Sequence, residues 1–316
     1  MNSREFSPVP VVLDCDTGID DAIALVYLAA LHKQGQINLL AVTTTAGNVD
    51  VTTTARNSRF LLDACGLESI PVAAGEPVPL VVPLVTTPET HGPHGLGYWE
   101  APADVDARVE DDWQRVWDPE AHLIVTGPAT NLAHYARGHR FPQQVTLMGG
   151  AYHYPGNTTP TAEWNSWVDP HAASEVFAHT PTPITICSLG VTEQMLIGPG
   201  ELHELTGILG AHPLAAVLTE ALRFYFEFHQ AQGEGYQAQI HDLLTCMIAL
   251  GRIPFEVTQT VVDIECDSPL MRGTTVADFK GHWQRRPNAR LVTDADIGAA
   301  HDELRRAFAS LVNQGL

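Results

Sequence analysis

The feature that most restricts what this chain can become is a repeated alternation. Short runs that are apolar at nearly every position are each followed by turn residues and then, mostly, by helical spacing. Val9–Leu13, Ile37–Thr43 (INLLAVT), Ile70–Ala73, His122–Val125 (HLIV), Val145–Met148 (VTLM) and Ile184–Cys187 (ITIC) are such runs. Between the first two, Asp20 to His32 places Ile23, Val26, Tyr27, Ala30 and Leu31 on one helical face, and Gly35 stops the helix. A second helix follows through Val51–Leu62. Strands without a polar side have no face to give to water. They therefore predict an α/β, Rossmann-like fold with a mainly parallel central sheet covered by helices on both faces. In such sheets ligands bind beyond the carboxyl ends of the strands. Polar clusters stand there: DCDTGIDD from Asp14, TTAGN (Thr44–Asn48), TGPATN (Thr126–Asn131) and Gly149–Gly150.

No internal repeat or linker interrupts the pattern, so residues 1–316 are expected to form one domain. Glu76–Val109 is long and rich in proline and glycine, and reads as a loop that carries function or covers a sheet edge. Gln230–Gln239 (QAQGEGYQAQ) reads as mobile. The chain has 37 acidic residues against 17 basic ones, a formal charge of −20. That field repels phosphate backbones and anionic membranes, so neither nucleic acid nor membrane is an expected partner. Cys15, Cys65, Cys187, Cys246 and Cys266 are scattered and form no C-x-x-C pair. With no leader-like start and no apolar run of about eighteen residues, the expectation is a soluble cytoplasmic protein.

VVLDCDTGIDDAIAL, Val11 to Leu25, crowds Asp14, Asp16, Asp20 and Asp21 between a strand and a helix. Helix capping by Asp20 and attraction to the helix dipole account for one or two of these charges. They do not account for Asp14 and Asp16. A hard dication would supply the missing attraction, because carboxylate oxygens are the ligands that Ca²⁺ or Mg²⁺ takes.

DCDTGIDDA resembles the N-terminal signature D-x-D-P-G-x-D-D-A of the inosine–uridine preferring nucleoside hydrolase family. TTTAGN (Thr43–Asn48), HGPHGLG (His91–Gly97), TGPATNLA (Thr126–Ala133), MGG (Met148–Gly150), AEWNSWVDPHAA (Ala162–Ala173) and HD (His241–Asp242) follow in the family's order. The resemblance implies a Ca²⁺-dependent enzyme that hydrolyses the N-glycosidic bond of ribonucleosides to free base and ribose. Carried over by motif, the metal ligands are Asp16, Asp21, the Thr126 carbonyl and Asp242. Asp16 would double as the base that takes a proton from water, and His241 is the candidate acid for the leaving base. Asp20, Asn48, Asn157, Glu163 and Asn165 match positions that bind the ribose, with Asp14 supporting the site. The E-x-N spacing of Glu163 and Asn165 suits an extended segment with both side chains on one side. His91, Tyr225 and His229 are candidates for the base pocket or its flap. The resemblance also implies a homodimer or homotetramer, and His241 leans towards inosine and uridine or pyrimidine nucleosides.

Two positions depart from the family pattern: Thr17 and Leu243 stand where prolines are usual. Two other readings compete. One is a Mg²⁺-dependent phosphatase of the haloacid-dehalogenase type with Asp14 as nucleophile. It needs a lysine at the site, and the chain has only Lys33 and Lys280. Lys33 lies about 18 Å along the helix from the cluster at 1.5 Å per residue. Lys280 precedes the acidic Asp294 and Asp296 without a clear strand end. The other is a non-catalytic nucleoside-binding protein.

Overall fold

A computed structural model of the protein describes residues 8–313. In chain order β1 (Val9–Cys15), α1 (Ile19–Lys33), β2 (Ile37–Thr44), α2 (Val51–Ala64) and β3 (Val72–Ala74) form the first half of a sheet. A loop carrying the single-turn α3 (Pro88–His91) leads to β4 (His122–Val125), α4 (Thr130–Gly138) and β5 (Gln144–Met148). Then come α5 (Trp164–Val168), α6 (Pro170–His179), β6 (Ile184–Cys187), α7 (Leu189–Thr192) and β7 (Leu196–Ile197). Helices α8 (Pro199–Leu209) and α9 (Leu214–Ala231), strand β8 (Ala238–Gln239) and α10 (His241–Ala249) follow. The chain closes with β9 (Phe255–Thr260), β10 (Val262–Ile264), β11 (Thr275–Ala277), β12 (Ala289–Ala295) and α11 (Ile297–Asn313).

The central sheet runs β3-β2-β1-β4-β5-β6-β12-β9. It is parallel except at one edge, where β9 runs against β12. Its two faces carry separate cores. One packs Leu13, Ile23, Leu25 and Tyr27 with Leu222, Met247 and Phe308. The other packs Val12, Leu123, Val125 and Leu147 with Tyr135, Val176 and Phe177. Alternate residues of β1 point into different cores, so the strand must be apolar throughout, as the sequence has it.

The register sets the site. Asp14 lies opposite both Thr43 and Val125, and Val125 lies opposite Leu147. The strands β1, β2, β4 and β5 therefore end together, and Asp16, Thr45, Thr126 and Gly149 leave the sheet along one edge.

Two sequence expectations need adjustment. The third strand sits at Val72–Ala74, two residues beyond the start of Ile70–Ala73. Helix α1 is not amphipathic in place: every residue from Ile19 to Leu31 is buried. It is enclosed by α2, α9, α10 and α11, the surroundings a helix apolar on all sides requires. In the segment Gln230–Gln239, β8 pairs with β7 and Gln232 caps the end of α9. Glu76–Val109, read as carrying function or covering an edge, delivers Thr87 and His91 to the cavity described next.

Candidate active site

Beyond the carboxyl ends of β1, β2, β4 and β5 lies a cavity of about 330 Å³. Asp16, Asp20, Asn48, Thr126, Asn157, Glu163, Asn165, His241 and Asp242 all line it. Asp21 lies directly beneath them. Of the residues left open by the sequence, His91, Tyr225 and His229 line it as well. Lys33 instead donates to the Cys65 carbonyl at 3.1 Å, Lys280 is exposed, and neither lysine borders the cavity.

The four carboxylates at its floor are each at most 5% exposed. One oxygen from each of Asp20, Asp21 and Asp242 falls within 4.8 Å of the others, a group that could hold a metal ion. Asp16 stands beside this group. Its Oδ2 accepts from the Asn48 amide at 2.8 Å, and the Asn48 side chain donates back to the Asp16 carbonyl at 3.2 Å. Asp21 also anchors the helix start: its Oδ2 accepts from the Gly18 amide at 3.0 Å, and its Oδ1 accepts from Thr126 Oγ1 at 2.7 Å. Capping, which the sequence assigns to Asp20, is thus performed by Asp21.

Burial raises all four acids. It pushes Asp20 to about 7, aided by the charge of Asp21. Asp16 is raised well above the usual carboxylate range by burial and then by Asp21, and Asp242 by burial and then by Asp20 and Asp21. Among the described residues no lysine or arginine lines the cavity to offset this charge. An all-oxygen, buried and uncompensated set of this kind fits a hard divalent cation.

Asp14 occupies the layer below. Its Oδ1 accepts from Thr43 Oγ1 and from Asn131 Nδ2, both at 2.7 Å, while Oδ2 is buried without a partner among the described residues. Asn131 also donates to the Thr44 carbonyl, which ties β1, β2 and the start of α4 together. The two departures from the family pattern are absorbed locally. Thr17 Oγ1 is 2.6 Å from Ser58 Oγ, and its carbonyl accepts from Asn57, so α2 holds the turn that proline would pre-set. Leu243 is buried in the first turn of α10.

Glu163 and Asn165 do not lie in an extended segment. Glu163 is the N-cap of α5, and its carboxylate accepts from the amides of Asn165 (2.7 Å), Ser166 (3.0 Å) and Gly150 (2.9 Å). Asn165 Nδ2 donates to the Thr126 carbonyl at 2.7 Å. Asn157 Oδ1 accepts from the Trp164 amide at 3.0 Å, closing the loop over the cavity.

Glycines let backbone crowd the acids. A Cβ on Gly47 would stand 2.1 Å from Asp16 Oδ2. Gly47→Ala must therefore displace Asp16 or its own loop. The expected cost is about 1–3 kcal/mol, as for overpacking elsewhere, together with weaker metal binding. Calorimetric melting and a Ca²⁺ titration of the variant check this; unchanged values in both would mean that the loop yields freely.

One side of the cavity is aromatic. The Tyr225 ring is 5.3 Å from His91 and 4.6 Å from His229, centre to centre. His91 Nδ1 accepts from the Ile19 amide at 3.1 Å, and burial pulls its pKa down to about 3. His241 Nδ1 is 2.9 Å from the Thr192 hydroxyl, and burial likewise lowers it to about 3. Among the lining residues, Phe228, Gln232, Glu234 and Gln239 escaped the sequence reading. Phe228 stands on α9, Gln239 in β8, and Gln232 and Glu234 in the turn between them, whose composition does not mark it as part of a site.

Comparison with known proteins agrees with this geometry. The family model described as inosine-uridine preferring nucleoside hydrolase matches residues 11–302. A pyrimidine-specific ribonucleoside hydrolase RihA from Shewanella sp. (strain MR-7) is 38% identical over 301 residues, covering 91% of this chain and 92% of that protein. The inosine-uridine preferring nucleoside hydrolase of Crithidia fasciculata is 34% identical over 318 residues, covering 95% and 98%. A purine-preferring ribonucleoside hydrolase from Gardnerella vaginalis shares the fold with a TM-score of 0.85 at 23% identity, covering 97% of this chain and all of that one. From residue 11 to residue 302, this chain belongs to the inosine-uridine preferring nucleoside hydrolase family.

Proposed function

We propose that the protein is a Ca²⁺-dependent ribonucleoside hydrolase that attacks the N-glycosidic bond with water and releases free base and ribose. Family membership supports the reaction class, and the buried acidic floor of the cavity is the observation that carries the metal. The cation would be held by Asp16, Asp21, Asp242 and the Thr126 carbonyl, with Asp20 beside them. Bound there, it would acidify a water molecule and draw in the ribose hydroxyls. All other steps fall to the chain itself.

Asp16 is the base that takes the proton from the attacking water. Beside the cation its carboxylate would stay ionised, the form that accepts a proton. Asn48 holds Asp16 in place through the bonds described above. Asp20, Asn157 and Asn165 line the ribose end of the cavity and orient the sugar. Glu163 acts there mainly through the loop amides it gathers, which keep Gly150 and Asn165 in position. His241 and Tyr225 border the nucleobase.

The whole chain acts as a single nucleoside hydrolase domain and assembles as a homodimer or homotetramer. Among the described residues no helix is long and apolar enough to cross a membrane. Five free cysteines suit a reducing cytoplasmic setting, where the reaction serves nucleoside salvage.

The test is ribose release from inosine, uridine, cytidine and adenosine, with and without Ca²⁺ after chelation. Release from at least one nucleoside, lost on chelation and restored by Ca²⁺, is the expected result and ranks the bases. Nucleoside binding without release would instead indicate a binding protein.

A further inference from the structure

Three histidines face the base end of the cavity, and their hydrogen-bond partners differ in kind. His91 Nδ1 accepts from a backbone amide, which can only donate, so protonating that nitrogen would break the bond. His241 Nδ1 meets a neutral hydroxyl, Thr192 Oγ1. His229 Nδ1 meets a carboxylate oxygen, Glu234 Oε2, at 2.6 Å. Only the last partner brings a negative charge to an imidazolium.

Local structure makes this pair. Gly233 follows the end of α9 with φ +82°, a left-handed conformation that glycine adopts without strain. The Glu234 amide then donates to the His229 carbonyl at 3.0 Å, and the Gly233 amide donates to the Gln230 carbonyl at 3.1 Å. This paired closure of a helix end is a Schellman motif. It folds Glu234 back over His229, five residues earlier.

The other ring nitrogen, His229 Nε2, is buried and has no hydrogen-bond partner among the described residues. The residue as a whole is 4% exposed and lines the cavity. A buried polar nitrogen without a partner is unfavourable, so a ligand that supplies one is favoured.

We propose that His229, charged and oriented by Glu234, is the proton donor to the departing nucleobase. This rests on the hydrolase reading and replaces His241 as the acid. As the C1′–N bond breaks, its electron pair stays on the base nitrogen. The proton on His229 Nε2 passes to the base, and Asp16 collects the proton released by the attacking water. Solvent then returns a proton to His229. The ring's surroundings bear on this charge. Burial is the larger influence and holds His229 below its ordinary pKa, and the Glu234 carboxylate offsets part of that lowering. Tyr225 lies on the same helix, His91 and His241 face it across the cavity, and Glu193 lies near Glu234.

The test compares the wild type with His229→Asn and Glu234→Gln on two substrates: a nucleoside it cleaves, and 4-nitrophenyl β-D-ribofuranoside, whose nitrophenolate leaves without a proton. Asparagine can keep a bond to Glu234 but has nothing in place of Nε2. Glutamine keeps the shape of Glu234 without its charge, at a position half open to solvent. The expected result is a drop in kcat of about 10²-fold or more on the nucleoside in His229→Asn, within the usual range for a positioned acid. Glu234→Gln should follow in the same direction, and both variants should hydrolyse the nitrophenyl riboside about as well as the wild type. Equal losses on both substrates, or undiminished nucleoside turnover in either variant, would overturn the proposal. A wild type that cleaves neither substrate would overturn the hydrolase reading itself, and this one with it.

Discussion

Asp16→Asn is expected to leave a folded protein that has lost nearly all ribose release, by about 10³-fold or more, the middle of the range for removing a positioned base. The fold should survive because the asparagine oxygen can still accept from the Asn48 amide, the bond that Asp16 Oδ2 makes at 2.8 Å. The chemistry should not survive, because an amide neither takes a proton from water nor carries the charge that holds a dication. The same substitution removes one charge from a buried acidic group in which Asp21 already raises Asp16. The metal-free variant should therefore melt above the metal-free wild type, while the Ca²⁺-loaded wild type gains more from the ion than the variant does. Steady-state ribose assays and calorimetric melts with and without chelator read both effects. Turnover within about tenfold of the wild type would take Asp16 out of the base role.

The opposed signs in that experiment explain why the acidic site was legible in the sequence. Asp14, Asp16, Asp20 and Asp21 would repel one another in any compact structure, so their presence at a strand end needed a reason beyond folding. The sheet was legible for a related cause. His122–Val125 and Ile184–Cys187 have the bounds read from sequence, because both strands are short, mainly apolar runs closed by turn residues at their carboxyl ends. Helix α1 was harder. Its apolar residues suggested one face, whereas the surrounding helices bury all sides, and a single helix carries no sign of how many neighbours it will have.

Glu163 shows where local spacing misleads. Glutamate is not among the favoured N-cap residues, and E-x-N reads equally well as an extended pair. Only the arrival of the Gly150 amide from the end of β5 makes Glu163 a junction between two segments. The His229–Glu234 pair is hidden for the opposite reason. Residues five apart on a helix do not face each other, and the contact exists because Gly233 reverses the chain between them. Contacts made by chain reversal or by a distant strand end leave little trace in composition.

Removing the metal should produce the second large effect, and its size should depend on pH with a definite sign. Without a cation, the folded state holds carboxyls whose proton affinity is raised, with Asp20 pushed up to about 7. An unfolded chain releases these protons near pH 4. A group raised on folding contributes stability below its unfolded pKa and loses it as the pH climbs towards the folded value. The metal-free protein should therefore lose melting temperature between about pH 5 and pH 8, as each carboxyl is forced to ionise against its neighbours. The metal-loaded protein should lose far less, because the dication takes the place of the protons. At Ca²⁺ a hundredfold above its dissociation constant, binding contributes about 2.7 kcal/mol. At about 2 °C per kcal/mol for a chain of this size, that is a gap of roughly 5 °C at pH 7.5. Calorimetric melts in Ca²⁺ and in chelator, repeated at pH 5, 6, 7 and 8, measure it directly. A gap that widens with pH supports metal binding among Asp16, Asp20, Asp21 and Asp242. A gap that is constant or narrows would place the ion elsewhere, since exposed carboxylates are already ionised at pH 5 and give up no protons to a metal in this window.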